Sequence, residues 1–275
     1  MSSERSVLVV TRGHPFEAEP FFAMFDALDG VAWTHVEHPE ARDWFRPDKL
    51  AGIDAVVCYD MPGIAFTGGD PPTRFEEPPA EFVEGFEAVL AAGQGIVFLH
   101  HAVASWPAWP RFAEIVGARF HYQPGELRGV AYPDSGYQFD VTHRVEVLDT
   151  DHPVCAGLGD GFTLTDELYL YPVFEDDVVP LLRSDADFSD ERFSSADRAI
   201  RGRGHDRDGW HHPEGSKLIG WVRGEGRSPL VYLQPGDGPV TYADPSYRRL
   251  LANAIDWVAT PAAHDWAASR VKSRD

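Results

Sequence analysis

The sequence predicts an α/β protein: a doubly wound, mostly parallel sheet with helices on both faces and extra strands added in its second half. Three observations carry this reading. Short runs such as Val7–Val10 and Ile96–Leu99 are apolar throughout, as strands buried on both faces must be. Stretches with apolar residues at helical spacing separate them, which implies parallel strands joined by right-handed crossovers. Glycine, proline and polar residues punctuate each change of pattern.

In chain order, Ser6–Thr11 reads as the first strand, closed by Arg12-Gly13-His14-Pro15, and Glu19–Leu28 as the first helix. Val31–Val36 and Ile53–Tyr59 repeat the short β-branched pattern. Ala80–Ala91 places Phe82, Phe86, Val89 and Leu90 on one helical face, and Gly93-Gln94-Gly95 ends that helix before the strand Ile96–Leu99. Tyr137–Val147 alternates as an added strand, and Phe162–Tyr169 reads as another. Leu218–Val222 and Leu230–Leu233 predict a hairpin around Arg223–Arg227. Tyr247, Leu250, Leu251, Ile255 and Trp257 set a final helix over Pro245–Val258, with Pro245 suited to the first turn. One domain is expected over residues 1–260, followed by a polar tail at 261–275.

With 275 residues, 43% of them hydrophobic, the chain can bury a substantial core. Lys and Arg total 24 against 44 Asp and Glu, a formal charge of −20, which repels a phosphate backbone and argues against nucleic acid as a partner. Part of that charge is local to Glu175–Arg198, with eight acidic residues against three arginines, which reads as a solvated surface insertion. No apolar run reaches the ~18 residues of a membrane span and the N-terminus has no signal-peptide pattern, so a cytoplasmic location is expected. Cys58 and Cys155 fit neither a disulfide framework nor a zinc knuckle and read as inert buried thiols. Arg201–Pro213 reads as a disordered surface loop, or else a flexible lid, whose His211 and His212 would bind metal adventitiously.

The chemistry is concentrated where strands end. In a doubly wound sheet ligands bind beyond the carboxyl ends of the strands, and His14, Asp60 and His100 each follow a predicted strand. In GIVFLHHAVASWPAW (95–109) the apolar run stops at His100-His101, the strand-turn-helix position where several α/β enzymes hold a nucleophile over a helix N-terminus. Neither cysteine lies there, no G-x-S-x-G pentapeptide exists, and Ser105 is too far along. Imidazole at such a place can shuttle protons near neutral pH or bind a borderline metal, although two packed core histidines would leave the same signature. Asp166-Glu167 supplies a carboxylate pair, and no glycine spacing after the first strand suits a phosphate loop.

These landmarks together resemble a known family. Gly13-His14 after the first strand, the GIVFLHHA elbow, Trp109 with Ile115–Phe120, His152-Pro153 with Gly157-Leu158, Asp166-Glu167-Leu168-Tyr169, and the closing Tyr242, Pro245, Tyr247 and Asn253–Trp257 look like the trehalose-utilisation (ThuA-like) family. The resemblance implies a flavodoxin-like core that shares the fold of class I glutamine amidotransferases without their cysteine, and a link to carbohydrate metabolism rather than amidotransferase activity. Where many members show Gly-His after the penultimate strand, this chain reads Gly236-Asp237, which weakens a metal site borrowed from the family.

The favoured reading is an enzyme acting on a disaccharide or oxidised sugar, with His100 or His101 as acid/base and Glu167 as partner carboxylate. His14, Asp60, Trp106, Tyr169 and Asp237 are the candidate substrate contacts, an aromatic face suiting the C–H face of a sugar. A divalent metal such as zinc, held by His14, His100, His152 and Glu167, is a variant. The rival is a non-catalytic sugar-binding or assembly protein on the same scaffold. The expected partner is a small-molecule carbohydrate, not nucleic acid or membrane, with self-association left open. His100→Ala is expected to leave the melting temperature within a few degrees, as for a functional rather than a packing residue.

Overall fold

The computed structural model describes residues 4–270. The first half alternates strands and helices: β1 (Arg5–Arg12), α1 (Ala18–Asp26), β2 (Val31–Glu37), β3 (Ala55–Asp60), a small hairpin β4 (Ile64–Phe66) and β5 (Thr73–Phe75), α2 (Ala80–Ala92), β6 (Gly95–Leu99) and α3 (Pro110–Val116). A second small hairpin, β7 (Gly125–Leu127) and β8 (Val130–Tyr132), leads into β9 (Gly136–Val147), β10 (Gly161–Leu170), β11 (Val179–Ser184), β12 (Ser194–Ser195) and α4 (Ala196–Ile200). The chain closes with β13 (Leu218–Glu225), β14 (Ser228–Leu233), α5 (Pro239–Ala243), α6 (Pro245–Val258) and α7 (Pro261–Ser269).

Strands β2, β1, β3, β6 and β14 lie side by side and parallel, which is the flavodoxin-like order when the five are counted along the chain. From β14 the same sheet continues antiparallel through β13, β11, β9 and β10. The added strands of the second half therefore extend the parallel core at one edge instead of forming a second unit.

Period-two alternation explains why the parallel strands are apolar throughout. Val7, Val9, Val57, Val97 and Leu99 face one core with Phe21 and Phe25 of α1 and Leu250 and Leu251 of α6. Leu8, Val10, Val56, Ile96 and Phe98 face the other, with Phe82 and Phe86 of α2 and Phe112 of α3. Among the described residues, no helix is long and apolar enough to cross a membrane.

Three stretches depart from the sequence reading. Glu175–Arg198 is not a solvated insertion, because it contributes β11 between β9 and β13 and buries Leu181, Leu182, Phe188 and Phe193 completely. Its few apolar residues do the packing while the many charges stay outside, so net charge misled. Arg201–Pro213 has little regular structure but is tied down: the His205 N–H donates to Tyr137 Oη at 2.9 Å, Trp210 Nε1 donates to Asp134 at 3.0 Å, and His212 is buried. Pro261–Ser269 forms a helix where a polar tail was expected, with Ala263 and Ala267 buried. The absence of a side chain at Gly224 allows that helix to approach, since a Cβ there would stand 2.9 Å from Ala267 Cα. Residues 271–275 of the expected tail lie outside the described residues.

Candidate functional site

Three loops at the carboxyl edge of the parallel strands build the site. After β1 the backbone passes so close to β3 that a Cβ on Gly13 would lie 2.2 Å from the Met61 carbonyl oxygen, and Gly13 has φ +99°, so only glycine carries the turn that delivers His14. After β6, His100 itself has φ +47°, uncommon for a residue with a side chain. The chain then continues as a 3₁₀ turn, His100–Ala104, and α-helix resumes only at Pro110. The elbow thus lacks the α-helix N-terminus implied by the sequence. After β14, Gly236 has φ +134° and leaves no room for a Cβ, which would meet Tyr247 Oη at 2.6 Å. Tyr59 Oη donates to the Gly236 carbonyl at 2.8 Å, and this fixed loop presents Asp237.

His100 is fully buried and every polar atom of its ring is engaged. Nδ1–H donates to the Gln234 carbonyl at 2.7 Å, which leaves Nε2 as the exchanging nitrogen. Around Nε2 stand Tyr169 Oη at 2.7 Å, Glu167 Oε2 at 3.1 Å and Asp237 Oδ1 at 3.5 Å. Tyr169 also stacks on the His100 ring, with centroids 4.6 Å apart.

Burial alone would drive the His100 imidazole neutral, but hydrogen bonds and charge from Asp237 and Glu167 outweigh it and raise its pKa to about 10. Burial pushes the Glu167 carboxyl up, with His100 pulling it back only in part. Burial also opposes ionisation of Asp237, yet its bond to His100 and that ring's charge hold its carboxyl below the usual range. At neutral pH His100 is an imidazolium and Asp237, with 33% of its side chain exposed, is the ionised group nearest solvent.

The other sequence candidates divide. His14 joins the site: it stacks on His101 at 4.5 Å between centroids, and burial followed by the charge of His100 lowers its pKa. His101 lies behind His14, donates Nε2–H to the Tyr59 carbonyl at 3.3 Å, and is held neutral by burial, with His14 and His100 adding to the effect. Like His100 it lines neither neighbouring cavity, and unlike His100 it touches no carboxylate that does. Asp60 points away and pairs with His38 at 2.8 Å, since it ends β3 on the far face. Trp106 is core, 1% exposed, and packs on Phe82 at 5.1 Å. His152 accepts the Val154 N–H and lies against Trp257, so the four-residue metal set does not form. Among the described residues the only grouping with metal-ligand spacing is His100, Glu167 and Asp237, whose ligand atoms lie within 4.8 Å of one another.

Sequence reasoning missed Asp166 as a positioning group and the residues that wall the site. Two cavities meet at Glu167. One, of about 280 Å³, is lined by His14, Phe66, Phe120, Tyr122, Phe139 and Tyr169 among others. The other, of about 510 Å³, is lined by Glu17, Asp140, Thr165, Asp237 and Thr241 among others. A further cavity of about 490 Å³ holds the Arg111–Glu225 and Arg128–Glu114 ion pairs and none of the His100 group.

A flavodoxin-like sheet whose central strand ends in a buried histidine on a left-handed backbone defines an α/β protein of the glutamine-amidotransferase-like fold without the cysteine at its elbow. Both cysteines are buried elsewhere. More particularly, the chain belongs to the ThuA family, described as trehalose utilisation, whose family model matches residues 6–258. Among solved structures it is similar to a ThuA-like protein from Parabacteroides merdae, at 15% identity and a TM-score of 0.64 over 94% of this chain and 91% of that one. It is also similar to a ThuA-like protein from Bacteroides uniformis, at 19% identity and 0.60 over 93% and 91%. PurLQS from Thermotoga maritima shares the fold at 12% identity and 0.52 over 92% and 99%. No curated protein matches the sequence significantly. Family membership gives the protein a carbohydrate-related role.

Proposed function

We propose that the protein is an enzyme that acts on a disaccharide or an oxidised sugar by acid–base chemistry centred on His100. The observation that carries this reading is a buried imidazolium between two carboxylates that both line a cleft. Burying such charges costs several kcal/mol per ion, roughly, so packing alone gives no reason for them. Glu167 and Asp237 line the cleft and exchange protons with a substrate oxygen, Asp237 as the ionised group on the solvent side, while His100 Nε2, buried behind them, supplies and takes back the proton through these carboxylates. His101 backs His14 and takes no proton in this scheme.

A second reading uses the same three side chains. One imidazole and two carboxylates suit a divalent ion such as zinc, and His100, Glu167 and Asp237 would hold it. Bound there, it would act as a Lewis acid on a sugar oxygen.

The test combines metal analysis of untagged protein, a thermal-shift panel of disaccharides and oxidised sugars including trehalose, and product detection by chromatography. Wild type is expected to bind and convert one member of the panel, and His100→Gln to bind it without conversion. Binding with no conversion by wild type would instead support a non-catalytic sugar-binding protein.

A further inference from the structure

The two cavities that meet at Glu167 differ in chemistry, and the cause is one irregularity in the sheet. Along the β9–β10 pair, Asp166 is opposite Val141 and Leu168 is opposite Gln138. Glu167 on β10 therefore faces two residues of β9, Phe139 and Asp140, which is a β-bulge, and Asp140 takes φ +55° to make it. Neighbouring strand residues ordinarily point to opposite faces of a sheet. The bulge instead stands Phe139 on the wall of one cavity and Asp140 on the wall of the other, with Glu167 common to both.

The Phe139 lobe is almost wholly aromatic and aliphatic. Its rim carries Phe66 and Phe139, 47% and 46% exposed, large apolar side chains that a sheet protein ordinarily covers. Phe66 is held edge-on to Tyr122 at 5.5 Å and Phe139 edge-on to Tyr137 at 5.1 Å, so the rings are already in position. An apolar cavity of about 150 Å³ accepts a benzene ring; this lobe measures about 280 Å³. The Asp140 lobe offers carboxylates and hydroxyls instead, from Glu17, Asp140, Thr165, Asp237 and Thr241. Those groups match the hydroxyls of a sugar ring, and the Phe139 lobe offers them few partners.

The geometry points to a substrate that is part sugar and part apolar ring: a glycoside whose sugar lies in the Asp140 lobe, whose aromatic aglycone lies between Phe66 and Phe139, and whose connecting bond passes Glu167. This inference rests on the carbohydrate reading of the same site and replaces the second sugar of a disaccharide by an aromatic ring, whose edges carry no hydroxyls to be desolvated against apolar walls.

Paired methyl and phenyl glycosides test it: α- and β-glucosides and galactosides, titrated calorimetrically into the full chain, with phenol alone as a control. For the sugar that binds, the phenyl glycoside should bind about tenfold tighter than its methyl counterpart, as burial of one ring against aromatic walls implies. Phe139→Ser and Phe66→Ser, both at exposed positions and each checked for an unchanged melting temperature, should bring that ratio close to one. Asp140→Asn, which tolerates the left-handed backbone, should weaken both glycosides alike and keep the ratio. Equal affinity for methyl and phenyl forms, or a ratio that survives both serine variants, overturns the aglycone site and leaves the carbohydrate reading standing. Phenol binding as tightly as the phenyl glycosides, or no glycoside binding at all, overturns both.

Discussion

The carboxylate of Asp166 accepts the Gly236 N–H at 2.6 Å and the Asp237 N–H at 3.1 Å, and so ties the loop after β14 to the strand that carries Glu167. Asp166→Asn keeps the shape but has one acceptor oxygen in place of two. One of the two N–H groups loses its partner and the Asp237 backbone drifts from His100. Affinity for the sugar that binds wild type is expected to fall by about tenfold, a shift typical of one lost charged hydrogen bond. Calorimetry checks it, and unchanged affinity would remove Asp166 from the positioning role.

His100→Ala is not the silent change that the sequence suggested. It strips the imidazolium from Glu167 and leaves a buried carboxylate, in contact with solvent only at the cavity walls, without its ion partner. Loss of one member of such a pair costs about 3–5 kcal/mol. Urea denaturation should show this loss, and Glu167→Gln added to His100→Ala should recover part of it.

The pH dependence follows from the sign of the His100 shift. Its folded pKa, about 10, lies above the ordinary 6.5, so its contribution to stability is complete below about pH 6.5 and disappears as pH rises toward 10. His14 and His101 are shifted the other way, so theirs is present above about 6.5 and lost on acidification. The melting temperature of wild type should decline between pH 7 and 10, and that of His100→Gln should decline less over the same interval. Parallel curves would mean that His100 is neutral in the folded protein.

Glu167→Gln removes the charge that helps keep His100 protonated. The His100 ring, followed by NMR, should titrate at lower pH than in wild type, while ligand binding persists because the amide preserves shape and an acceptor oxygen. Turnover of any identified substrate should be nearly abolished. Full turnover with an unmoved His100 titration would dismiss the acid–base scheme.

Trp106→Ala distinguishes core from platform. Its ring is enclosed by Phe82 and His38, so truncation should destabilise by about 3–5 kcal/mol. Sugar affinity of the protein that remains folded should not change, whereas a ring stacked on substrate would lose it.

Much of the parallel core was legible because burial on both faces writes itself into short apolar runs, and the helix of Ala80–Ala92 repeats its apolar face within a dozen residues. His14 and His100 were recognisable as neighbours for a general reason: strand ends of a doubly wound sheet share one edge. Asp60 obeys the same rule by position, yet its side chain leaves on the opposite face, toward His38, and Trp106, beyond the turn after β6, packs on Phe82. A loop residue's direction depends on φ and ψ at the turn, and no local pattern records those angles.

By itself, then, the sequence determined the sheet type, the strand that ends in histidine and the absence of a cysteine nucleophile there, all properties of contiguous residues. Only the tertiary structure decided that Glu167 and Asp237, from β10 and the loop after β14, both reach His100, and that His152 does not. It alone decided the bulge that divides Phe139 from Asp140. The physical reason is range: periodicity reports burial over a few residues, whereas register and the meeting of charges are set by how distant elements pack together, as His100 and Asp237 do across 137 residues.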